Sequence, residues 1–281
     1  MTSLPMIPGY ELLTCLGGGA ITTVYSAREC ETDCPCAVKV LRPDWEDQPV
    51  ALKLLQREAR AGLSVEHPHL VRILEARVLT PPLYLVMEYL PGESLRRRMR
   101  RDYCLEQATA LWIARQNAEA LAALQHKGFI HGDIKPENVR LVDVGKAILL
   151  DLGFAHRPGE NAPFLENGYI LGTANYLAPE LCGQEPSDDA QADIYSLGVT
   201  LFEMLTGQLP YPAGTPLQTM QRHRADEARL LTDYMPAASA SLTELVDRML
   251  SRDPGDRPHA DRLVQELVGC EIASLGQRRA A

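Results

Sequence analysis

The densest cluster of chemically capable side chains lies near the middle of the chain. Asp133, Lys135 and Asn138 occur within one short stretch, and Asp151 follows after a further apolar segment. Carboxylate and amide oxygens are ligands that Mg²⁺ prefers, so Asn138 and Asp151 are the predicted metal ligands. Asp133 could accept or orient the proton of a substrate hydroxyl, and Lys135 could steady a phosphoryl group during its transfer.

The segment between Asn138 and Asp151 predicts how these two residues meet. Residues 139–142 and 147–150 have the apolar character of short strands, and residues 143–146 read Asp-Val-Gly-Lys, which is a turn sequence. A hairpin of this kind brings its two ends together, so we expect Asn138 and Asp151 to be neighbours. The alternative is that these polar residues only cap a turn.

Lys39 and Glu58 form a second candidate pair, earlier in the chain. Lys39 lies inside an apolar strand, where a lysine usually points to solvent. Glu58, however, lies on the apolar face of a predicted helix. Because burial of an unpaired charge is expensive, Glu58 needs a cationic partner, and Lys39 is the obvious candidate. A lysine held in this way could reach the α- and β-phosphates of ATP.

The stretch Leu16-Gly17-Gly18-Gly19 joins two predicted strands, so its glycines are expected in the turn of a hairpin. Without Cβ atoms, these residues would let backbone N–H groups approach a polyphosphate closely. Three glycines between strands can equally form an ordinary turn. The glycines therefore indicate a phosphate site only in combination with the residues above.

Charge and composition exclude several classes of protein. The 281 residues carry a formal net charge of −9, whereas a general nucleic-acid binder needs a basic face. The seven cysteines include no Cys-x-x-Cys pair, which favours reduced thiols over a zinc site. Neither a leader nor an apolar stretch long enough to span a bilayer is evident, so we expect a cytoplasmic protein without a membrane partner. The sequence predicts no particular oligomeric state.

The elements that must position these residues change in character along the chain. The first ninety residues predict strands around one helix, and the pattern after Pro91-Gly92 is helical. The predicted strands are 11–16, 23–27, 36–41, 70–78 and 83–88, and the predicted helices are 50–64, 106–126, 190–206, 241–251 and 260–268. We therefore predict an α+β fold with two lobes and a ligand cleft between them. The basic run 96–101 is interpreted as a solvated helix face, although it could instead attract an acidic partner.

The order of these motifs resembles that of the protein kinase family. The resemblance extends from about Tyr10 to Gly269 and includes His67-Pro68, Ala178-Pro179-Glu180, the run Asp-Ile-Tyr-Ser-Leu-Gly at 193–198, and Arg257. It implies a bilobal kinase domain over residues 10–270. This domain would comprise an N-terminal lobe (10–87) of an antiparallel sheet plus one helix, a hinge (88–92) and a mainly helical C-terminal lobe (93–270), followed by a tail (271–281). Thr22, in place of the third loop glycine, resembles the bacterial branch.

By this resemblance the chain would transfer the γ-phosphate of ATP to serine or threonine side chains of protein substrates, with Mg²⁺ as cofactor. The implied catalytic set is Lys39, Glu58, Asp133, Lys135, Asn138 and Asp151. The implied nucleotide site is Leu16, Gly17, Gly18, Gly19, Val24, Ala37, Lys39, Met87 as gatekeeper, and the hinge from Glu88 to Leu90. Glu180 would pair with Arg257, and Asp193 would support the catalytic loop. Lys135 together with Gly172-Thr173 resembles the serine/threonine class.

The chain departs from the family pattern at a few positions. Gly132 replaces the arginine that usually pairs with a phosphorylated activation loop. The loop itself, residues 153–171, contains no serine or threonine, and Tyr169 is its only hydroxyl side chain. We therefore expect activity without phosphorylation of the loop. Arg140 replaces an apolar floor of the adenine pocket, so only its aliphatic stem could serve there, whereas Leu152 in place of phenylalanine stays apolar.

Two other functions remain open. A small-molecule phosphotransferase of related fold also commonly carries the His-Gly-Asp of residues 131–133, but Lys135-Pro136-Glu137 and the segment 172–180 argue against it. A non-catalytic binding module would keep the fold and perform no transfer. Against that reading, every expected catalytic side chain is present.

Overall fold

The computed structural model describes residues 4–142, 145–166, 169, 171–183, 189–212 and 214–280. Its N-terminal part is an antiparallel sheet with the strand order β1-β2-β3-β5-β4. The elements are β1 (Tyr10–Gly18), β2 (Thr22–Glu29), β3 (Pro35–Leu41), helix α1 (Pro49–Ser64), β4 (Ile73–Arg77) and β5 (Tyr84–Glu88). Each strand and helix predicted in this part is present, with bounds that differ by a few residues.

The alternation of side chains in β3 decides where Lys39 points. Successive residues of a strand face opposite sides of the sheet. Val38 and Val40 belong to the apolar cluster on one side, whereas Leu41 packs with Leu55 of α1 on the other side. Lys39 therefore shares the side of Leu41 and faces helix α1.

The C-terminal part is mainly helical and begins with a small sheet of order β6-β7-β8. Its elements are β6 (Glu93–Ser94), α2 (Leu95–Asp102), α3 (Gln107–His126), β7 (Val139–Val142), β8 (Lys146–Leu149), α4 (Ala162–Glu166), α5 (Gln191–Thr206), α6 (Pro216–Ala225), α7 (Leu231–Tyr234), α8 (Ala240–Met249) and α9 (Ala260–Ala280). The predicted two-lobed α+β fold is thereby confirmed.

Helix α5 is the centre of the C-terminal core. All of its residues except Ser196 are buried, as expected for a helix that is surrounded on every side. Side chains of α3, α8 and α9 join it in one continuous apolar cluster. A rigid helix at this depth provides a support for the loops above it.

The structure differs from the sequence-based expectations mainly in its helices, and it adds the short elements β6 and α4. Helix α9 continues to Ala280, whereas its predicted end was Val268. Helices α6 and α7 were not predicted as separate elements, because both are short and carry few buried residues. The predicted turn residues Asp143 and Val144 lie outside the described residues. Within the described ranges, none of the helices combines the length and apolar character needed to cross a bilayer.

Candidate active site

The β7–β8 hairpin brings together the two residues predicted to bind metal. Val139 pairs with Leu149, so the strands start and end side by side. The N–H of Leu150 then donates to the carbonyl of Asn138 at 2.7 Å. Asn138 and Asp151 therefore leave the hairpin from adjacent positions, as its sequence predicted.

Asp133 is held in one orientation by three donors. The Thr173 hydroxyl donates to Oδ1 at 2.8 Å, and the Asn138 amide donates to Oδ2 at 3.0 Å. Lys135 Nζ lies 2.5 Å from the same Oδ2 and also donates to Thr173 at 2.7 Å. Only 2% of the Asp133 side chain is exposed, so the carboxylate has little freedom to reorient. The arrangement presents a fixed proton acceptor beside a cation.

The backbone of the catalytic loop rests on Asp193 at the start of helix α5. The carboxylate of Asp193 accepts the N–H groups of His131 at 2.7 Å and Gly132 at 2.9 Å. The His131 ring lies between Asp133 N (3.2 Å) and the Leu150 carbonyl (3.0 Å), which places the ring proton on Nε2. The loop is therefore anchored both to the core helix and to the hairpin.

Lys39 lies between Glu58 and Asp151. Its Nζ is 2.7 Å from Glu58 Oε2 and 2.8 Å from Asp151 Oδ1. Partial burial would by itself raise the pKa of Asp151, but the charge and hydrogen bond of Lys39 lower it to about 2. Burial raises the pKa of Glu58 to about 7 against the opposing effect of Lys39. The two carboxylates together raise the pKa of Lys39, so the lysine stays charged.

Asp151 has a strained backbone. Its φ of 60° and ψ of 78° place a residue other than glycine in the left-handed region. Such a conformation costs on the order of 1–3 kcal/mol and persists only where surrounding contacts hold it. The contacts are the ion pair with Lys39 and the Gly153 N–H, which donates to Oδ1 at 3.3 Å. Strain of this kind is concentrated at functional sites.

The predicted nucleotide residues line a cleft between the sheet and the C-terminal part. One cavity of about 270 Å³ is lined by Leu16, Gly17, Gly18, Val24, Ala37, Val71, Met87, Glu88, Tyr89, Leu90, Arg140 and Leu150. The adjoining cavity is lined in part by Gly19, Lys39, Glu58 and Asp151. A Cβ atom on Gly18 would lie 2.5 Å from the Thr22 carbonyl oxygen, which explains the glycine there. Val71 and Leu150 were not predicted, since nothing in their local pattern separates them from core residues.

Arg140 lies in the wall of this cleft, and its guanidinium group turns toward the hinge. Its Nε donates to the Leu90 carbonyl at 3.1 Å. The guanidinium group is thus bonded to the backbone, and the aliphatic stem is the part left to cover a bound base.

The donor set suits a hard divalent cation. Both amide hydrogens of Asn138 are used on Asp133, which leaves the amide oxygen without a hydrogen bond among the described residues. Asp151 keeps 41% of its side chain exposed, compared with 4% for Glu58. Among the described residues, Asn138 Oδ1 and Asp151 Oδ2 accept no hydrogen bond, and Mg²⁺ characteristically combines one or two protein oxygens with water and phosphate.

The family model described as "Protein kinase domain" matches residues 10–268. The chain belongs to the protein kinase family. Among its curated relatives are serine/threonine-protein kinase PknB of Mycobacterium leprae (31% identity, 92% of this chain, 42% of the relative) and pkn2 of Myxococcus xanthus (34%, 97% and 34%). A third is PrkC of Bacillus subtilis (29%, 88% and 38%). The predicted family, and its bacterial branch, are confirmed.

This kinase chain spans about a third to a half of the length of the curated relatives that it matches. The match includes the glycine-rich turn, the catalytic loop and the Asp151 segment. It also includes Gly132, where the kinase departs from the usual pattern.

Proposed function

We propose that this kinase transfers the γ-phosphate of ATP to serine or threonine hydroxyls of protein substrates. The observation that carries the proposal is the convergence of Asp133, Asn138 and Asp151 beside the Lys39–Glu58 ion pair. The relatives are named serine/threonine-protein kinases, which supports the same acceptor class. We also propose residues 10–270 as the kinase domain, with lobes 10–87 and 93–270 on either side of the hinge 88–92.

Each polar residue then has a distinct task. Asp133 orients the acceptor hydroxyl and takes its proton, because its carboxylate is fixed by Thr173 and Asn138. Lys135 provides positive charge beside the transferring group, and Lys39 holds the nucleotide phosphates. Asn138 and Asp151 would hold Mg²⁺, which neutralises phosphate charge when it is bound. The Lys135–Thr173 contact ties the cation to the segment that receives the substrate.

The experiment is magnesium-dependent incorporation of phosphate into the chain itself or into a generic basic protein. Asp133→Asn should lower the rate about 10²- to 10⁴-fold, because the general base is lost. Asp44→Asn is the matched control, since the Asp44 side chain is 81% exposed and lines neither of the two cavities. A full rate in Asp133→Asn contradicts the assignment of the base. Transfer to an aminoglycoside or choline, with none to protein, contradicts the substrate class.

We further propose that activity does not require phosphorylation of the activation loop. Gly132 has a φ of +80°, and a Cβ there would lie 3.0 Å from the Phe154 carbonyl oxygen. An arginine at this position, which would read a loop phosphate, is therefore disfavoured by the backbone itself. The loop must be held by other contacts.

Those contacts join helix α1 directly to the loop, and we call Arg57, Arg60, Glu160 and Asn161 the latch. Both Arg60 Nη atoms donate to the carboxylate of Glu160, at 2.8 and 2.5 Å. Arg57 donates to the Glu160 carbonyl at 2.7 Å and to Asn161 Oδ1 at 2.8 Å. A carboxylate thus takes the place that a phosphate would occupy opposite an arginine cluster.

The latch reaches the catalytic loop through one more residue. The Asn161 amide lies 3.0 Å from His156 Nε2, and the backbone of His156 pairs with Ile130 in both directions. Arg57 precedes Glu58 directly, so the same helix carries the latch and the partner of Lys39. Holding the loop against α1 therefore also holds Glu58 on Lys39.

Protein shown by mass spectrometry to be free of phosphate should be fully active. Glu160→Gln should lower activity several-fold, because the hydrogen bonds become weaker while the side-chain shape is kept. Asp33→Asn is the control, since it removes a carboxylate from the exposed Arg28–Asp33 ion pair, which does not contact the described residues of the loop. Phosphate-free protein that is inactive and regains activity only after loop phosphorylation would contradict the proposal.

A further inference from the structure

The basic run at residues 96–101 contains one arginine that behaves unlike its neighbours. The Arg96 side chain is 18% exposed, whereas that of Arg97 is 81% exposed. Within the part of the chain that the structure describes, Arg97, Arg98 and Arg101 pair with residues of β6 or of their own helix, as the interpretation of a solvated face predicts. Arg96 instead turns away from solvent and contacts three other parts of the C-terminal lobe.

Two carboxylates and a phenol converge on the Arg96 guanidinium. Its Nε donates to Glu137 Oε1 at 2.7 Å, and Nη1 donates to Glu203 Oε1 at 2.6 Å. Nη2 donates to Glu203 Oε2 at 3.2 Å and to the Tyr176 hydroxyl, which in turn donates to Glu203 Oε2 at 2.6 Å. The planar, five-donor guanidinium is the one side chain that can satisfy this set of acceptors together.

The cluster lies next to residues that contact Asp133. Glu137 stands between Lys135 and Asn138, which both contact Asp133. Tyr176 closes the short turn that begins at Thr173, and the hydroxyl of Thr173 also touches Asp133.

Glu137 keeps 44% of its side chain exposed, so the cluster opens to the surface next to the catalytic carboxylate. A residue near the acceptor serine of a bound peptide could therefore reach the Arg96 cluster.

We propose that Arg96 fills, from within the chain, an acidic pocket that would otherwise hold a basic residue of the substrate. The proposal rests on the proposed function and concerns the substrate class of that same site. With Arg96 in place both carboxylates already have a guanidinium partner, so the position that an external cation would take is occupied. The kinase accordingly accepts serine peptides regardless of a neighbouring arginine.

Removal of Arg96 should uncover the pocket. Glu137 and Glu203 would then lie near each other without a counter-charge, and Glu203 is only 11% exposed. A carboxylate pair of this kind gains strongly from any cation that can reach it. A substrate arginine brings the same planar donor group, whereas a substrate lysine brings a point charge that cannot bridge both carboxylates.

The experiment compares serine peptides that differ at one position, arginine against alanine, scanned over five positions on each side of the serine. Wild-type protein should show similar kcat/KM for both at every position. Arg96→Ala should favour the arginine peptide at one or two positions by on the order of tenfold or more. Arg97→Ala, which removes the same charge from the same helix at an exposed position, should leave the ratio unchanged. A purely structural role of Arg96 would lower all rates without moving this ratio.

A second measurement tests the pocket without catalysis. Methylguanidinium ion should raise the Tm of Arg96→Ala and not that of wild type, and Glu203→Gln in the Arg96→Ala background should abolish the effect. An equal shift in both proteins, or none in either, overturns the proposal. So does a wild-type preference for arginine of tenfold or more, a result that needs no variant to fold. Absence of transfer to any peptide by the wild type would instead count against the proposed kinase function. In that case the Tm measurement with methylguanidinium would still test the pocket.

Discussion

Gly132 and Asp151 show how single residues govern this site through backbone conformation. Both have positive φ, but glycine takes this conformation freely, whereas Asp151 is held in it by Lys39 and Gly153. Because residue 132 is glycine, the arginine side chain that usually pairs with a loop phosphate is missing. The second aims a carboxylate into the cleft at the expense of local strain.

Gly132→Ala should therefore destabilise the protein by about 1–2 kcal/mol, because an L-residue pays that penalty in the left-handed region. The new Cβ would also meet the Phe154 carbonyl oxygen at 3.0 Å. Gly269→Ala is the matched control, because a Cβ there meets nothing within 4 Å and its backbone is helical. The control should be neutral or stabilising by up to about 1 kcal/mol. Chemical denaturation measures the free energy of unfolding of both variants. Equal changes in the two would show that the backbone at position 132 accepts a side chain without strain.

At the scale of elements, the site depends on how helix α1 and the activation loop are joined to their neighbours. The two-residue alternation of β3 turns Lys39 toward α1, and the helix presents Glu58 to it. The end of the loop region is fixed separately, because Glu180 makes two hydrogen bonds to a fully buried Arg257, at 2.7 and 2.8 Å. Arg257 also donates to the carbonyls of Ser251 and Gln191, so this pair anchors the segment in the core.

Glu180→Ala should reduce the free energy of unfolding by about 3–5 kcal/mol, because it leaves a buried guanidinium without its counter-charge. Glu227→Ala provides the comparison, since it removes a carboxylate that is 94% exposed and pairs with Arg252 on the surface. That exposed pair should contribute at most about 1 kcal/mol. Thermal and urea denaturation of the two variants test the difference, and comparable losses would contradict the anchoring role of Glu180.

The latch should make the stability of the protein depend on pH. Hydrogen bonds from Arg60 lower the pKa of Glu160 from its ordinary 4.5 to about 2, with burial acting in the opposite direction. A carboxylate with a lowered pKa contributes stability that is present above pH 4.5 and is lost as the pH falls toward 2. The stability difference between wild type and Glu160→Gln should therefore be constant from pH 8 to about 5 and shrink below that.

A phosphate in the same place would behave differently, since its second ionisation has a pKa of about 6. Urea denaturation of both proteins across this range distinguishes the two cases. A step in the difference near pH 6, with no change below pH 5, would contradict the carboxylate latch.

At the scale of the whole molecule, the proposed catalytic groups come from both lobes and meet across the cleft. Lys39 and Glu58 belong to the sheet and α1, whereas Asp133, Asn138 and Asp151 belong to loops supported by α5 and the β7–β8 hairpin. The Lys39–Asp151 ion pair is a direct link between these two parts. Binding of a nucleotide with its metal should strengthen that link.

ATP with Mg²⁺ should stabilise the folded chain and so raise its Tm. When the ligand is at 100 times its Kd, the free energy of unfolding should increase by about 2.7 kcal/mol. ATP with a chelator should raise it less, because the oxygens of Asn138 and Asp151 then lack the cation. Asp151→Asn should remove most of the magnesium-dependent increment, whereas Asp44→Asn should keep it. A magnesium increment that survives in Asp151→Asn would exclude this residue as a metal ligand.

The sequence by itself determined the family, the strands and helices that build the site, and the β7–β8 hairpin. These features follow from patterns within short stretches: alternation in β3, the apolar face of α1, and a turn between two strands. Only the tertiary structure decided how the loop is latched and where Arg96 points. Arg60 and Glu160 are 100 positions apart, and Arg96 and Glu203 are 107 apart. Residues so far apart in the chain are not related by the periodicity of a helix or a strand. From the sequence alone, their charged side chains cannot be distinguished from ordinary solvent-exposed ones.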